Sequence, residues 1–429
     1  MTGTRAGRSC RELVAGVPRN RQDRFRSAPP NRENIAVETF YSPFDFTIQD
    51  DPYPVYARLR EESPVYRNDK DDFWALSRHE DVIAALKDTN RFSSVNGLRL
   101  EPAFWGPDAE KFFSFVAMDP PRHTRMRGLV SRAFTARRVM ELEPRIREIA
   151  RECVRPYVEG DAFDMMTDFA ARFPMDVISE LVGVPEADRA KVRDLGMAIM
   201  YREEEGDDLP PEALQAIGAL VGYYTELTVE RSRERRGDLL SGLLDAADGA
   251  DRLTPEEIVG VLILLVGAGI ETTMLLLGNA WHAAWLHPEA RAAAFGGRIP
   301  DWIEETLRWD PPTQAIARTT TEAVELHGAT IPADARILLL TGSANRDPRV
   351  FDDPDRFDLD RDTGASLAFG NGRHHCLGAN LGRLEARIAL EEITGLVADY
   401  EIDEANAKRV RSSNDRGFAA LPSRITRRR

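Results

Sequence analysis

The sequence predicts a mainly α-helical protein with a minor β portion towards its two ends, and its length suits two to four domains or a single large one. Helical periodicity dominates from about residue 120 to residue 310, whereas the runs with strand character are short and lie before and after this stretch. The chain has 429 residues, of which 42% are hydrophobic and 30% are charged. This composition is typical of a soluble globular protein and excludes a fibrous or wholly disordered one.

The N-terminal segment differs in composition from the rest of the chain. Residues 1–34 are rich in arginine, and the adjacent Pro29 and Pro30 indicate a linker into the folded body. We expect residues 1–34 to be a disordered leader and residues 35–429 to form the domain.

The first and last parts of the domain contain short elements. A helical pattern starts at Tyr53, and runs with strand character occur at residues 65–66, 73–76 and 335–340. These strands account for the minor β portion of the predicted fold.

The best-marked element is a long helix in the middle of the chain. Thr254 can cap it, Pro255 suits its first position, and Glu257 completes a capping box. The helix can run to His287, because Pro288 then stops it. At 1.5 Å per residue its length is roughly 50 Å, enough to cross a whole domain.

The centre of this helix has an unusual composition. Gly267 and Gly269 are followed by Glu271, Thr272 and Thr273, all poor residues for an ordinary helix interior. We interpret this as a place where a ligand approaches the backbone closely. A crossing of two helices through small residues is the alternative.

Charge and cysteine content exclude several classes of function. The net charge of −14 argues against a protein that binds nucleic acid through its overall field. Cys10, Cys153 and Cys376 are far apart and odd in number, so we expect no disulfide framework and a cytoplasmic location. The longest apolar run, residues 258–270, is too short for a membrane span, and no signal peptide is visible, so no membrane association is expected.

The most informative segment is the run Phe-Gly-Asn-Gly-Arg-His-His-Cys-Leu-Gly at residues 369–378, here called the cysteine loop. Gly370 and Gly372 allow a tight loop whose backbone can surround a sulfur ligand. A helical pattern begins just after Cys376, and a helix N-terminus lowers the pKa of a thiol and stabilises the thiolate, the form that binds metal.

Three interpretations of the cysteine loop compete on the residues alone. A dinucleotide-binding loop fails, because His375 occupies the position of the third glycine. A zinc site built from His374, His375 and Cys376 lacks a second Cys/His pair at suitable spacing. A lone buried cysteine does not explain the two glycines.

The cysteine loop resembles the haem-binding loop of the cytochrome P-450 family, Phe-Gly-x-Gly-x-His-x-Cys-x-Gly, with every fixed position filled. The resemblance implies that Cys376 is the axial thiolate ligand of a haem iron and that His374 reaches a haem propionate. Phe369, Gly370 and Gly378 would complete the cofactor-binding loop.

Further motifs occur in the order known for this family. Glu305 and Arg308 match its Glu-x-x-Arg helix, and Arg361 would complete a buried ion network. The i,i+3 spacing puts Glu305 and Arg308 on one helix face. Taken alone, this pair would be an ordinary surface salt bridge.

The long central helix also resembles a family motif. The run from Ala268 and Gly269 to Glu271 and Thr272 is similar to the oxygen-activation groove, in which many members carry Asp where Glu271 stands. The resemblance implies that Ala268 and Gly269 contact the haem and that Glu271 and Thr272 are catalytic. A hydroxyl that bonds back to a carbonyl of its own helix is the structural alternative for Thr272.

The propionate ligands of the family have counterparts here as well. His123 and Arg127 are four residues apart, so both can point at one anionic edge, and Arg318 matches another propionate ligand. The resemblance spans about residues 45 to 421.

The function implied by this resemblance is that of a bacterial haem-thiolate monooxygenase. The cofactor would be haem b, with dioxygen and electrons from NAD(P)H delivered by a separate ferredoxin and ferredoxin reductase. The thiolate supplies electron density for O–O cleavage, while a hydroxyl and a carboxylate are suited to proton delivery. A peroxide-dependent peroxygenase and a non-catalytic haem-binding sensor or carrier are alternatives that the pair Glu271 and Thr272 disfavours.

The same resemblance implies a substrate pocket formed by several segments. Its candidate lining residues are Phe104, Trp105, Phe115, Leu265, Ile316 and Phe418. This lining favours a sizeable, largely apolar substrate such as a steroid, a terpenoid or a polyketide.

A docking site for the ferredoxin is predicted from local charge. Residues 120–140 contain six arginines and no acidic residue. On a helix, Arg127 would lie within about 40° of His123, while Arg125 and Arg132 would lie about 180–200° away from it. We expect Arg125 and Arg132 to form a basic patch that attracts an acidic partner, the alternative being a solvated charged face.

Overall fold

The computed structural model describes residues 39–157, 162–200 and 210–428. From Thr39 onwards these residues belong to one unit, in agreement with the predicted single domain. The predicted leader at residues 1–34 lies outside the described residues.

Helices make up most of the described chain and are numbered here in chain order. They are α1 (Phe46–Asp50), α2 (Tyr53–Glu62), α3 (His79–Lys87), α4 (Glu110–Phe113), α5 (Arg122–Ala133), α6 (Ala136–Glu141), α7 (Glu143–Val154), α8 (Phe173–Val182), α9 (Glu186–Met200), α10 (Pro211–Arg233), α11 (Leu239–Asp245), α12 (Pro255–Leu286), α13 (Pro288–Phe295), α14 (Ile299–Trp309), α15 (Thr341–Ala344) and α16 (Ala379–Leu396). Short 3₁₀ turns lie at Pro102–Phe104, Ser114–Ala117, Gly372–His374 and Glu404–Asn406, and a π-helical turn lies at Met165–Ala170.

The strands are short, and most of them lie towards the two ends of the chain, as predicted, whereas three of those described lie within the helical stretch. They are β1 (Val65–Asn68), β2 (Phe73–Leu76), β3 (Phe92–Ser93), β4 (Ala162–Asp164), β5 (Ala247–Asp248), β6 (Asp251–Arg252), β7 (Ile316–Thr320), β8 (Val324–Leu326), β9 (Ala329–Ile331), β10 (Arg336–Leu339), β11 (Val397–Ile402), β12 (Lys408–Arg409), β13 (Phe418–Ala420) and β14 (Pro422–Arg427).

The largest sheet joins strands from both ends of the chain in the order β1-β2-β10-β7-β3. β1 and β2 form an antiparallel hairpin, and β10 lies parallel to β2 with Leu338 opposite Ala75. β7 is antiparallel to β10, with Arg318 opposite Ile337. A second sheet has the order β11-β14-β4.

The long central helix α12 confirms the boundaries read from the sequence. The Thr254 side chain accepts a hydrogen bond from the Glu257 backbone, the Glu257 carboxylate accepts one from the Thr254 backbone, and His287 is the C-cap. This capping box satisfies two donors that the first turn leaves unpaired. Among the described helices, α12 is long and apolar enough to cross a membrane, but 56% of its most apolar window is buried inside the fold.

The main core surrounds α12, which packs against α8, α10, α14 and α16. Trp281 of α12 is fully buried and stacks on Tyr400 of β11, with ring centroids 3.6 Å apart. The Tyr400 hydroxyl donates to the Trp281 carbonyl oxygen, and Trp281 Nε1 donates to Ser423 Oγ of β14. Both aromatic side chains thus bury a large apolar area with their polar atoms paired.

Candidate active site

The cysteine loop is closed by its own backbone. Gly370 and Gly372 have φ values of 66° and 70°, in the left-handed region that side chains rarely adopt. A Cβ at position 372 would lie 2.9 Å from the Leu86 carbonyl oxygen of α3. The Cys376 backbone donates a hydrogen bond to the Phe369 carbonyl oxygen at 2.9 Å. Both glycines therefore permit the tight loop, as the sequence indicates.

The thiol of Cys376 lies just before α16. Cys376 as a whole residue is exposed, but its sulfur atom is buried among protein atoms. This burial raises the pKa of the Cys376 thiol, and the backbone N–H groups of Gly378 and Ala379 and the charges of Arg127 and Arg383 act against the rise. The expected net lowering of the thiol pKa is therefore wrong, because desolvation outweighs the helix N-terminus. The same four groups still stabilise a thiolate once a metal ion binds it.

His123, Arg127, Arg318 and His374 lie beside the cysteine loop and are here called the anion cluster. The rings of His123 and His374 have centroids 4.1 Å apart, and Arg127 Nη2 donates to the His375 carbonyl oxygen. Buried Arg318 donates to the carbonyl of its own neighbour and, among the described residues, has no carboxylate at ion-pair distance.

Burial and mutual repulsion perturb the pKa values of the anion cluster. Burial lowers the pKa of His123 to about 4 and that of His374 to about 2, and nearby Arg127 adds to both effects. Burial likewise lowers the pKa of Arg318 to about 10. An anion bound between these side chains would raise all three values, because it would stabilise their charged forms.

Unpaired polar atoms show that the anion cluster fits the propionate groups of a haem. Both ring nitrogens of His123 and Nδ1 of His374 are buried and have no hydrogen-bond partner within the described part of the chain. Buried polar atoms are normally paired, so these atoms need a polar partner. Carboxylates placed here would accept hydrogen bonds from the histidines and pair with the arginines. The residues present thus fit the cofactor that the resemblance implies.

At the centre of α12 one side of the helix is exposed, here called the open side, and another side packs against α8. Gly267 and Ala268 are exposed in the middle of a mostly buried helix, and a Cβ at position 267 would meet no atom within 4 Å. A Cβ at Gly269 would lie 3.0 Å from Ile178 Cδ1 of α8. The missing side chain at Gly269 thus lets α12 pack closely against α8, in line with the alternative interpretation of the small residues, while the haem contact of Gly269 stays a prediction.

Thr272 adopts the structural alternative that the sequence left open. Its Oγ1 donates to the Ala268 carbonyl oxygen at 2.7 Å, one turn earlier in α12. The hydroxyl keeps its lone pairs available as acceptors while its proton is engaged. Thr272 is thus held in one orientation on the open side of the helix.

Glu271 is held by an ion pair that the sequence does not predict. Arg99, in the loop after β3, places Nη2 3.4 Å from Glu271 Oε2 and 2.5 Å from Asp415 Oδ2. Asp415 also accepts a hydrogen bond from Thr313 Oγ1 at 3.0 Å. The Glu271 carboxylate therefore belongs to a polar cluster of four residues, Arg99, Glu271, Thr313 and Asp415, which come from four parts of the chain.

The predicted ion network is confirmed as a buried feature. Glu305 and Arg308 form two hydrogen bonds at 2.7 and 2.8 Å, and their side chains are 1% and 0% exposed. Arg361 Nε lies 3.3 Å from Glu305 Oε1. Arg308 also donates to the carbonyl oxygens of Asn345 and Pro354, so it ties α14 to the segment before the cysteine loop.

Two of the six predicted pocket residues lie in the main core. Phe115 and Phe418 are buried in the main core at 2% and 3% exposure. The Phe418 ring packs against His282, at 4.7 Å between centroids, and against Arg409, at 4.0 Å. Phe115 and Phe418 are therefore core residues, because α12 and its neighbours close over them. The other four candidates are partly exposed: Phe104, Trp105, Leu265 and Ile316.

The predicted basic patch on α5 is neutralised. Arg125 lies 2.8 Å from Asp251 Oδ2 and 2.6 Å from Glu257 Oε1, and Arg132 lies 3.1 Å from Asp248 Oδ1. The prediction of a free basic docking patch at these two arginines is wrong, because β5, β6 and the first turn of α12 bring acidic side chains to them.

A buried acid that no sequence motif indicates lies next to the central helix. Glu385 of α16 is 1% exposed and forms a hydrogen bond with Thr273 of α12. Burial raises its pKa well above the ordinary value. The spacing along the sequence indicates that Glu385 is buried, because position 385 falls on the same helical face as the apolar Leu381 and Ile388.

Comparison with known proteins agrees with this site. The family model described as Cytochrome P450 matches residues 300–425. The chain is 47% identical over 388 residues to cytochrome P450 123 of Mycobacterium tuberculosis, covering 90% of this chain and 96% of that protein. It is 39% identical over 354 residues to vitamin D(3) 25-hydroxylase of Pseudonocardia autotrophica, covering 81% and 86%.

Solved structures show the same fold. The structure of cytochrome P450 CYP109Q5 from Chondromyces apiculatus superposes with a TM-score of 0.83 at 36% identity, covering 90% of this chain and 98% of that one. CYP109E1 from Bacillus megaterium in complex with testosterone superposes with a TM-score of 0.79 at 30% identity, covering 87% and 99%. Relatives this similar, aligned over nearly their whole length, show that the chain belongs to the cytochrome P450 family of monooxygenases.

Proposed function

We propose that this protein binds haem b through Cys376 and inserts one atom of dioxygen into a sizeable, largely apolar substrate. The observation that carries the proposal is the cysteine loop with the anion cluster beside it. Among the described residues, buried histidine nitrogens there have no hydrogen-bond partner and Arg318 has no carboxylate partner, and two propionates would supply both. Arg127 links the two parts, because it donates to the His375 carbonyl oxygen next to the ligand.

The division of labour follows from the chemistry of each part. When bound, a thiolate-ligated haem activates dioxygen with electrons from NAD(P)H. The protein binds and orients the substrate, excludes water and supplies protons. Glu271 is the proton carrier in this proposal, since its carboxylate neighbours the open centre of α12.

Thr272 would position the proton donor. Because its own proton is engaged by the Ala268 carbonyl oxygen, the hydroxyl oxygen can accept a hydrogen bond from a water molecule on the open side of α12. Such a water would receive its proton from Glu271 and pass it towards the dioxygen site.

The proposed substrate class is a steroid, a terpenoid or a polyketide. Four partly exposed apolar side chains, Phe104, Trp105, Leu265 and Ile316, support an apolar substrate. A vitamin D(3) hydroxylase and a testosterone-bound cytochrome P450 among the similar proteins support the steroid class.

The proposed electron donor is a separate ferredoxin with its reductase, in the cytoplasm. The surface next to the ligand supports an external donor, since Arg373 and His375 of the cysteine loop are exposed. A positively charged side chain here suits an acidic partner.

The carbon monoxide complex of the reduced protein tests the ligand assignment. We expect the red-shifted Soret band of a thiolate ligand, and we expect Cys376→His to lose this band while retaining haem. Cys153→Ser is the matched control, because Cys153 is buried in α7, where its sulfur faces Asp176 of α8. A Cys376→His protein with an unchanged band would refute the assignment.

Turnover separates the monooxygenase from its alternatives. With NADH, a surrogate ferredoxin and its reductase, we expect product from an apolar substrate without added peroxide. Product only with hydrogen peroxide would instead identify a peroxygenase. A sensor or carrier would bind haem but form no product with either oxidant. The compounds tested would be apolar ligands whose binding shifts the haem iron from low to high spin.

A further inference from the structure

Arg99 is one guanidinium group placed between two carboxylates. Its side chain is 14% exposed, and it faces Asp415, which is 3% exposed, and Glu271, which is 19% exposed. The contact to Asp415 is shorter, at 2.5 Å against 3.4 Å for Glu271. Among the described residues, Arg99 is the only cation that forms an ion pair with either carboxylate, so the two compete for it.

Acidic groups outnumber basic groups around Arg99. Glu101 adds a third carboxylate. Its Oε1 accepts a hydrogen bond from Ser413 Oγ at 2.7 Å, and its Oε2 is buried with no hydrogen-bond partner among the residues that the structure describes. The groups that act electrostatically on Asp415 are Arg99, Glu271 and Glu101, together with the Thr313 hydroxyl. The single positive charge of Arg99 cannot fully compensate the three carboxylates. Asp415, which is buried most deeply among those paired with Arg99, therefore binds a proton most readily.

We propose that Asp415 is a positioning residue that controls Glu271 by competing with it for Arg99. This inference rests on the proposed role of Glu271 as a proton carrier. When Asp415 is ionised, it holds Arg99, and Glu271 is only loosely engaged and free to move a proton. When Asp415 takes a proton from water, Arg99 transfers to Glu271, which is then held as a fixed carboxylate.

Asp415 changes its protonation state close to physiological pH. Burial raises the pKa of Asp415 to about 6, with Glu271 and Glu101 adding to the rise and Arg99 and Thr313 opposing it. Asp415 is therefore mostly ionised at pH 7.5 and mostly protonated at pH 5, so product formed per NADH consumed should rise through this interval.

Infrared spectroscopy tests the protonation step without turnover. In the haem-loaded protein, lowering the pH through about 6 should add the carbonyl stretch of a protonated carboxyl group, and Asp415→Asn should remove this component. An identical titration in the native and Asp415→Asn proteins would overturn the proposal.

Coupling measurements test its consequence. In Asp415→Asn, Arg99 pairs with Glu271 at every pH. The product formed per NADH at pH 7.5 should therefore fall roughly threefold, and the ratio should no longer increase with pH near pH 6. Thr313→Val removes a hydrogen bond to the ionised form, so it should move the midpoint of the native profile upwards by about half a pH unit. Glu101→Gln is the control, because among the described residues Glu101 forms no ion pair with Arg99. This variant should keep the rise, with its midpoint moved slightly downwards because one charge that raises the pKa of Asp415 is gone.

The outcomes distinguish this inference from the function on which it rests. If Glu271→Gln lowers product per NADH while Asp415→Asn and Thr313→Val both keep the native pH profile, Glu271 carries protons and the competition proposed here is wrong. If Glu271→Gln leaves coupling unchanged, the proposed role of Glu271 fails and this inference fails with it.

Discussion

At the scale of single residues, the hydroxyl of Thr272 serves its own helix and, in the proposed function, also the reaction. Its proton is directed to the Ala268 carbonyl oxygen, as a threonine inside any helix can do. Unlike an ordinary core threonine, it lies beside exposed Gly267 and Ala268, and the next residue towards the N-terminus is the ion-paired Glu271. The hydrogen bond fixes the side chain, and the exposure makes its oxygen accessible.

Replacing this hydroxyl should separate the two roles. We expect Thr272→Ala to bind haem and substrate normally but to yield roughly tenfold less product per NADH, because the water that passes the proton loses its acceptor. Thr272→Ser retains a hydroxyl and should retain most of the coupling. A fully coupled Thr272→Ala protein, measured as product against NADH consumed, would assign the threonine to helix structure alone.

At the scale of elements, the contact between α12 and α16 contains a buried acid. Glu385 lies on the apolar face of α16 and is hydrogen bonded to Thr273. Burial raises its pKa, so the folded protein retains a proton that the unfolded chain releases once the pH exceeds its ordinary value of 4.5. The stability that this proton provides is complete below that value and is lost progressively as the pH rises towards the folded-state pKa.

Glu385→Gln should therefore be more stable than the native protein at alkaline pH. Glutamine keeps the shape of the protonated side chain and has no proton to lose. We expect its unfolding free energy to lack the native decrease of up to about 1.4 kcal/mol per pH unit above pH 5. Urea unfolding at pH 5, 6.5 and 8 measures this, and parallel stability curves for the two proteins would contradict it.

At the scale of the whole molecule, the ion network joins the helical part to the segment that leads into the cysteine loop. Arg308 is completely buried and binds Glu305 together with the carbonyl oxygens of Asn345 and Pro354. Arg361 reaches the same carboxylate from the far end of that segment. Since these contacts span α14 and residues 345–361, the position of the cysteine loop depends on them.

Loss of Glu305 should destabilise the whole fold. Glu305→Ala leaves the charge of Arg308 buried without its partner, which typically costs about 3–5 kcal/mol. Arg298→Ala removes an arginine just before the same helix, whose ion pairs with Asp301 and Asp360 lie at the surface, where solvent screening makes such pairs weak. Guanidinium unfolding should show a large loss for the first variant and a small one for the second. Equal losses would contradict the central role of the network.

The sequence by itself determined the elements whose causes are local. The capping box at Thr254 and the stop at Pro288 set both ends of α12, because capping involves neighbours within a few residues. The cysteine loop was identifiable for the same reason, since the backbone at Gly370 and Gly372 requires glycine whatever surrounds it. The ion pair between Glu305 and Arg308 also follows from spacing along one helix.

Only the tertiary structure decided which distant groups meet. Arg125 is paired with Asp251, and Arg99 is shared by Glu271 and Asp415, across separations in sequence for which no local pattern exists. Burial is decided at the same level: Phe418 became a core residue, and the Cys376 thiol has a raised rather than a lowered pKa. Periodicity and motif spacing describe interactions along the chain, whereas charge neutralisation and desolvation depend on what the completed fold packs against each side chain.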